Sequence, residues 1–164
     1  MRNKALEIGA LLNKKGLRLT IAESCTGGLL SHLITDIPGS SAYFLGAVVV
    51  YSNHAKQQLL GVRSETLELY GAVSHETVAE MALNACSLFA HHPPDHKTVG
   101  LAVSGIAGPG GGTADKPVGL VWIGISLAGK TYTRQYFHQG TRSENKEAFA
   151  EKALALLLNH LMTL

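Results

Sequence analysis

The sequence predicts a single three-layer α/β/α sandwich with a mixed sheet, on the basis of three observations. Short apolar runs alternate with longer segments whose apolar residues recur at helical spacing. The last two strand-like runs flank Ala128-Gly129-Lys130 and predict a hairpin, which makes the sheet mixed rather than purely parallel. No internal repeat or linker divides the 164 residues, so we expect residues 1–164 to form one α/β domain.

The first part of the chain alternates helix and strand signals. Residues 2–15 place apolar side chains on one helical face, and Gly16 follows as a C-terminal stop. We predict a buried strand over 17–22 and a helix from Gly27 to Thr35. The apolar run 43–51 is continuous rather than alternating, which predicts a strand covered on both faces. Ser52 or Asn53 then caps a helix through Leu60, which Gly61 ends.

The second part begins with helices and ends with strands and a last helix. A short helix is predicted over 64–70, and a longer one from a cap at Ser74 to about Ala90. A Pro pair makes 91–96 a loop. Strands are predicted over 98–103, 119–127 and 131–137, and a glycine-rich stretch occupies 104–113. The last helix begins at Thr141, whose spacing to Glu144 is that of a capping box.

Composition excludes several classes of protein. The chain has fourteen Lys and Arg against twelve Asp and Glu, and these residues are scattered. They do not form the basic patch that is typical of nucleic-acid binding. No apolar run approaches the ~18 residues that span a membrane, and residues 1–7 lack the apolar segment of a signal peptide. Two cysteines are too few for a secreted disulfide framework, so we expect free thiols. These observations favour a cytoplasmic protein without nucleic-acid or membrane partners.

A strand-to-helix turn at residues 22–28 is the first candidate site. Its Thr26 is a predicted N-cap, and the unpaired backbone N–H groups of such a turn attract negative charge. The Ser24 hydroxyl would attack a carbonyl whose oxygen becomes anionic beside those N–H groups. The predicted oxyanion donors belong to Cys25, Thr26, Gly27 and Gly28. The alternative is a capped turn whose glycines serve only tight packing.

Two further residues are expected at the same sheet edge. Tyr51 stands at the carboxyl end of the apolar strand, and Lys56 stands in the first turn of the next helix. A lysine at that helix position, partly buried, favours the neutral amine, which accepts the serine proton, while a tyrosine hydroxyl passes protons on. In the alternative interpretation, Tyr51 is an aromatic residue at a strand end whose hydroxyl is exposed to water, and Lys56 is a solvated residue of the helix.

Five motifs in order resemble the C-terminal domain of the competence/damage-inducible CinA proteins, over nearly the whole chain. They are 22–28, 38–41, 51–56, 71–74 and 104–112 with 116–119. The resemblance implies a nicotinamide-nucleotide amidase, which hydrolyses nicotinamide mononucleotide to nicotinate mononucleotide and ammonia. It also implies that Ser24 is the nucleophile, that Lys56 and Tyr51 transfer protons, and that the small-molecule nucleotide is bound without metal or other cofactor.

Substrate-binding residues are expected in the glycine-rich stretch and the last helix. Backbone N–H groups of 108–113, including those of Gly110 and Gly111, would form a nest for the phosphate, unless this stretch is only a long loop. Ser104 and Arg142 occupy positions where the resembled enzymes use a small hydroxyl residue and an arginine. Ser104 stands where threonine is common, and Lys146 stands where a second basic residue is often arginine.

Other assignments remain open from the sequence alone. A Cys25 thiol at a helix start is an alternative nucleophile. His91, His92 and His96 suggest a metal site, although a solvated loop is favoured because their spacing is not helical. A non-catalytic nucleotide-binding or regulatory module, or an amidase for another small amide, competes with the leading interpretation. With no fused domain in the sequence we expect a free-standing enzyme, and the apolar short helices favour a homo-oligomer, a dimer.

Overall fold

The structure is a computed structural model that describes residues 1–89 and 97–164. Its helices are α1 (Arg2–Lys15), α2 (Leu29–Thr35), α3 (Asn53–Leu60), α4 (Ser64–Tyr70), α5 (His75–Phe89) and α6 (Arg142–Thr163). Its strands are β1 (Arg18–Glu23), β2 (Phe44–Val49), β3 (Thr98–Gly105), β4 (Leu120–Leu127) and β5 (Lys130–Phe137). Within these described ranges, no helix is both long and apolar enough to cross a membrane. The predicted loop over 91–96, with its three histidines, lies outside the described residues.

The five strands form one mixed sheet in the order β2-β1-β3-β4-β5. The strand β1 runs parallel to both of its neighbours, β2 and β3, whereas β3 pairs with β4, and β4 with β5, in antiparallel fashion. The hairpin between β4 and β5 turns at Ala128 and Gly129, both with positive φ. The predicted mixed sheet is therefore confirmed, and the carboxyl ends of β1, β2 and β3 share one edge.

Helices cover both faces of the sheet. One core cluster joins α1, α2 and α6 to the sheet through side chains such as Ile8, Ile34 and Phe149. A second cluster joins α3, α4 and α5 to the opposite face around Met81. The alternation along β1 follows from the two-residue repeat of a strand: Leu19 and Ile21 pack in the first cluster, and Ala22 packs in the second. The predicted three-layer α/β/α sandwich is confirmed.

The strand β2 differs from its prediction. Its continuous apolar run predicted cover on both faces, and α2 and α5 do contact it. However, β2 is one of the two edge strands, so Leu45 and Val49 remain 36% and 45% exposed. A continuous apolar run indicates that both faces of a strand are covered, but it does not indicate whether a neighbouring strand lies on each side.

The helix ends agree with the sequence at most positions and differ at α2. Gly16 and Gly61 terminate α1 and α3 in the left-handed conformation, and Thr141 forms the predicted capping box with Glu144. The helix α2 begins at Leu29, two residues later than predicted, because Gly27 and Gly28 adopt φ of 61° and 98°. Thr26 is therefore not the N-cap of this helix.

Candidate active site

A cavity of about 240 Å³ lies outside the carboxyl ends of β1, β2 and β3, where open α/β sheets bind ligands. It collects eight of the residues that the sequence singled out: Ser24, Cys25, Tyr51, Lys56, Ser104, Gly110, Gly111 and Arg142. Thr26, Gly27 and Gly28 do not line it. They line a separate groove together with Lys146 of α6.

Ser24 and Lys56 meet at the floor of this cavity. Lys56 Nζ lies 3.1 Å from Ser24 Oγ and donates a hydrogen bond of 3.0 Å to the Val50 carbonyl oxygen. Ser24 follows β1 directly, and its N–H donates to the Val103 carbonyl at the end of β3. Lys56 lies one turn into α3, whose N-cap is Ser52. The sheet edge and the helix cap together fix both functional atoms.

The Lys56 amine is in an environment that disfavours its charged form. The side chain is 1% exposed, and burial lowers the pKa of Lys56, an effect that nearby Cys25 partly opposes. Among the described residues, no carboxylate lies within ion-pair distance of this amine. Ser24 is equally enclosed, at 6% exposed. A hydroxyl is thus held against an amine that loses its proton more readily than an ordinary lysine.

Cys25 is a poor candidate for the nucleophile. Burial raises the pKa of its thiol to about 12, with smaller opposing contributions from backbone N–H groups and from Lys56. A reactive cysteine requires the opposite shift, since the thiolate is the attacking form. Cys25 and Cys86 are both free, as the sequence predicted.

Two of the four predicted oxyanion donors are already engaged. The Gly28 N–H donates to Glu23 Oε2 at 3.0 Å, and the Gly27 N–H donates to the Ser24 carbonyl at 3.2 Å. Assigning these two N–H groups to an oxyanion hole was therefore wrong. Within the described residues, no oxygen acceptor is paired with the N–H of Cys25 or of Thr26. Both N–H groups face the Cys25 sulfur and lower the pKa of its thiol, so these two predicted donors stay open to an oxyanion.

Glu23 is the main site residue that the sequence reasoning missed. Its carboxylate is fully buried and accepts hydrogen bonds from the backbone N–H groups of Gly28, Leu30 and Ser31 and from the hydroxyls of Thr26 and Ser31. The signal that identifies Glu23 is the two-residue alternation of side chains along β1. Glu23 continues the face of Leu19 and Ile21, which points toward α2, whereas Ser24 falls on the opposite face.

Tyr51 and Arg142 are paired at the mouth of the cavity. Arg142 Nη2 donates to the Tyr51 hydroxyl at 2.7 Å, and Nη1 donates to the Gly108 carbonyl at 2.6 Å. Tyr51 is 60% exposed and makes no hydrogen bond with Ser24 or Lys56. The predicted direct proton path between Tyr51 and these two residues is therefore not present in this conformation.

Ser104 and the glycine-rich stretch form the far wall. The Ser104 hydroxyl is buried and donates to the Ala72 carbonyl at 2.7 Å, so this hydrogen bond joins β3 to the segment that precedes α5. Gly110 and Gly111 are exposed at the rim of the cavity. Gly111 has φ of 86°, a backbone conformation that favours glycine.

Comparisons with known proteins agree on one family. The CinA C-terminal domain family model matches residues 2–161. A CinA-like protein of Desulforapulum autotrophicum is 47% identical over 157 residues, which cover 95% of this chain and 36% of the relative. The chain spans about a third of the length of the curated relatives it matches.

Solved structures give the same result over nearly their full length. The competence damage-inducible protein A of Klebsiella pneumoniae is 35% identical with a TM-score of 0.90, covering 98% of this chain and 96% of that one. A competence or damage-inducible protein of Enterobacter asburiae is 36% identical with a TM-score of 0.89, covering 98% and 97%. The architecture, the order of the motifs and these matches together show that the chain belongs to the CinA C-terminal domain family.

Proposed function

We propose that this protein is a nicotinamide-nucleotide amidase, which hydrolyses nicotinamide mononucleotide to nicotinate mononucleotide and ammonia through a serine nucleophile. One observation carries the proposal: a buried amine with a lowered pKa lies 3.1 Å from a buried serine hydroxyl in an open cavity. That is the arrangement of a Ser-Lys catalytic pair. The family resemblance supplies the substrate, since its stand-alone members act on this nucleotide.

In the first half of the reaction, the neutral Lys56 amine takes the proton of Ser24. The Ser24 oxygen attacks the carboxamide carbon, and the N–H groups of Cys25 and Thr26 stabilise the resulting oxyanion. The carbon–nitrogen bond then breaks, and the leaving nitrogen takes the proton from the Lys56 ammonium. Ammonia departs and leaves an ester on Ser24.

In the second half, water cleaves this ester along the reverse path. Lys56 takes a proton from the water as its oxygen attacks the ester carbon, and the same two N–H groups hold the second oxyanion. When the intermediate collapses, Ser24 recovers its proton from Lys56. The carboxylic acid that forms loses its remaining proton to solvent, which gives the carboxylate of nicotinate mononucleotide, and both side chains return to their starting states.

The remaining site residues fit a role in holding the nucleotide. Arg142 lines the mouth of the cavity with its cationic side chain, and the exposed Gly110 and Gly111 line the same cavity. We assign the phosphate to this rim and the pyridine carboxamide to the buried floor. Tyr51, paired with Arg142 through its hydroxyl, is assigned to the same mouth and contacts the substrate there.

Replacing Arg142 with alanine tests the assignment of the phosphate. Hydrogen bonds to charged groups contribute about 1.5–3 kcal/mol, so we expect the KM for nicotinamide mononucleotide to rise about 10-fold to 100-fold, with a smaller change in kcat. The matched control is Arg134→Ala on β5, outside the cavity, which should leave KM unchanged. An unchanged KM in Arg142→Ala would rule out the phosphate role.

A substrate panel tests the proposed function itself. Ammonia release is measured from nicotinamide mononucleotide, nicotinamide and NAD side by side, with and without a chelator. We expect turnover of the mononucleotide in preference to the other two, unaffected by the chelator. Preference for another amide would indicate a different amidase, and release from none would favour a non-catalytic nucleotide-binding or regulatory module.

A further inference from the structure

The buried carboxylate of Glu23 lies directly before the Ser24 nucleophile, and within the described residues no basic side chain forms an ion pair with it. A buried charge is costly unless hydrogen bonds replace the lost water. Here five donors do so at 2.7–3.1 Å, all from the turn and first helical residues that follow Ser24. One side chain therefore organises the entire segment from Thr26 to Ser31.

The backbone of Glu23 also connects to the base. Its carbonyl accepts a 2.8 Å hydrogen bond from the Val50 N–H, and the Val50 carbonyl accepts the hydrogen bond from Lys56 Nζ. On the other side of β1, the Ser24 N–H donates to Val103. A shift of Glu23 would therefore change the position of Ser24 and of the carbonyl that orients Lys56.

The carboxylate also determines which N–H groups of the turn stay available. It takes the N–H groups of Gly28, Leu30 and Ser31, and it leaves those of Cys25 and Thr26. It accepts the Thr26 hydroxyl at 2.7 Å as well, which fixes the residue that carries one of the remaining donors. Preorganised donors of this kind stabilise an oxyanion without rearrangement during the reaction.

We propose that Glu23 is a positioning residue that holds Ser24, Thr26 and the Val50 carbonyl in the reactive arrangement, without lining the cavity or touching substrate. The inference rests on the proposed function in that it takes Ser24 as the nucleophile. The Glu23 carboxylate faces α2, on the side of β1 opposite to Lys56, so its contribution is geometric and passes through the turn.

Glu23→Gln is the first test. Oε1 accepts one backbone N–H and Oε2 accepts two, besides one hydroxyl each, so an amide in either orientation sets its NH₂ group against at least one backbone N–H, even where the hydroxyls rotate to accept. A misplacement of about 1 Å at a reacting group costs about 100-fold, so we expect kcat for nicotinamide mononucleotide to fall about 100-fold or more. We expect KM to change by less than about threefold, because the rim that binds the nucleotide is untouched.

Glu80→Gln is the matched control for a purely structural effect. Glu80 accepts hydrogen bonds from the backbone and guanidinium of Arg63 and from the Thr66 hydroxyl, and it lies outside the cavity. This control should lower Tm while leaving kcat unchanged. Glu23→Asp provides a second variant that keeps the charge but withdraws the carboxylate by one methylene, and it should lower kcat at least about 10-fold.

Covalent labelling of Ser24 separates this inference from the choice of substrate. Phenylmethanesulfonyl fluoride is added to each folded variant, and the labelling rate of Ser24 is followed by mass spectrometry, with Ser24→Ala as the blank. We expect slower labelling in both Glu23 variants and an unchanged rate in Glu80→Gln. If the wild-type protein is labelled but hydrolyses no nucleotide, the proposed function fails and the labelling rates still decide the role of Glu23. Wild-type kcat and labelling rates in a folded Glu23 variant, or an unlabelled Ser24 in the wild type, would overturn the inference.

Discussion

Replacing Ser24 with alanine is expected to lower ammonia release from nicotinamide mononucleotide by about 10³-fold to 10⁶-fold, the range set by removing a serine nucleophile from other hydrolases. The substitution removes the attacking oxygen and leaves the N–H groups of Cys25 and Thr26 in place, so any residual rate reflects binding and oxyanion stabilisation alone. The KM should change little, because Ser24 lies at the floor of the cavity and the proposed phosphate site lies at its rim. Steady-state kinetics on purified protein give both constants.

Ser87→Ala is the matched control, since Ser87 is an exposed serine of α5 outside the cavity. It should retain the wild-type rate. Undiminished turnover by Ser24→Ala would end the nucleophile assignment. Loss of activity in Cys25→Ala together with full activity in Ser24→Ala would transfer the role to the neighbouring thiol, against the raised thiol pKa.

Replacing Lys56 with methionine is expected to reduce kcat by about 10³-fold or more, because the base in contact with Ser24 Oγ is lost. Methionine has a similar length and flexibility, so it fills the space of the buried side chain. In the wild-type enzyme, kcat should rise with pH through a pKa below the ordinary value of lysine, since the neutral amine is the active form.

The same substitution should change how stability depends on pH. Because burial lowers the pKa of Lys56, the unfolded chain binds more protons than the folded chain between that lowered pKa and the ordinary lysine pKa of about 10.4. In this window the free energy of unfolding of the wild type should rise with pH relative to that of Lys56→Met. Urea unfolding of both proteins between about pH 7 and pH 10 measures the difference.

The exposed Lys14 offers a control for this measurement. The Lys14→Met variant should keep the wild-type rate and unfold in parallel with the wild type at every pH. If the free energies of unfolding of Lys56→Met and the wild type also depend on pH in the same way, the proton affinity of the Lys56 amine does not change on folding. That result would contradict its role as the base.

Local signals in the sequence were sufficient to place the elements and the proposed reactive pair. Gly16, Gly61 and the capping box at Thr141 end or begin helices where they were expected, because each rule depends only on residues within one turn. Ser24 and Lys56 meet because both follow parallel strands, whose carboxyl ends share one edge of the sheet.

The remaining features depend on contacts that no local pattern records. The Glu23 carboxylate, which lies on the preceding strand, accepts the N–H groups at the start of α2. A rule that looks for an N-cap next to the helix therefore chose Thr26 and placed the helix start two residues too early. The pairing of Tyr51 with Arg142 joins residues 91 positions apart. The edge position of β2 follows from the strand order, which apolarity alone does not determine.

The covalent intermediate provides the most direct test that Ser24 attacks the carboxamide. The wild-type enzyme is mixed with excess nicotinamide mononucleotide, quenched with acid at short times, and analysed by intact-mass and peptide mass spectrometry. We predict a transient mass increase equal to one nicotinate-mononucleotide acyl group, located on Ser24 and absent from Ser24→Ala. An enzyme that releases ammonia while its mass stays unchanged at every time, or that carries the acyl group on another residue, would contradict the mechanism.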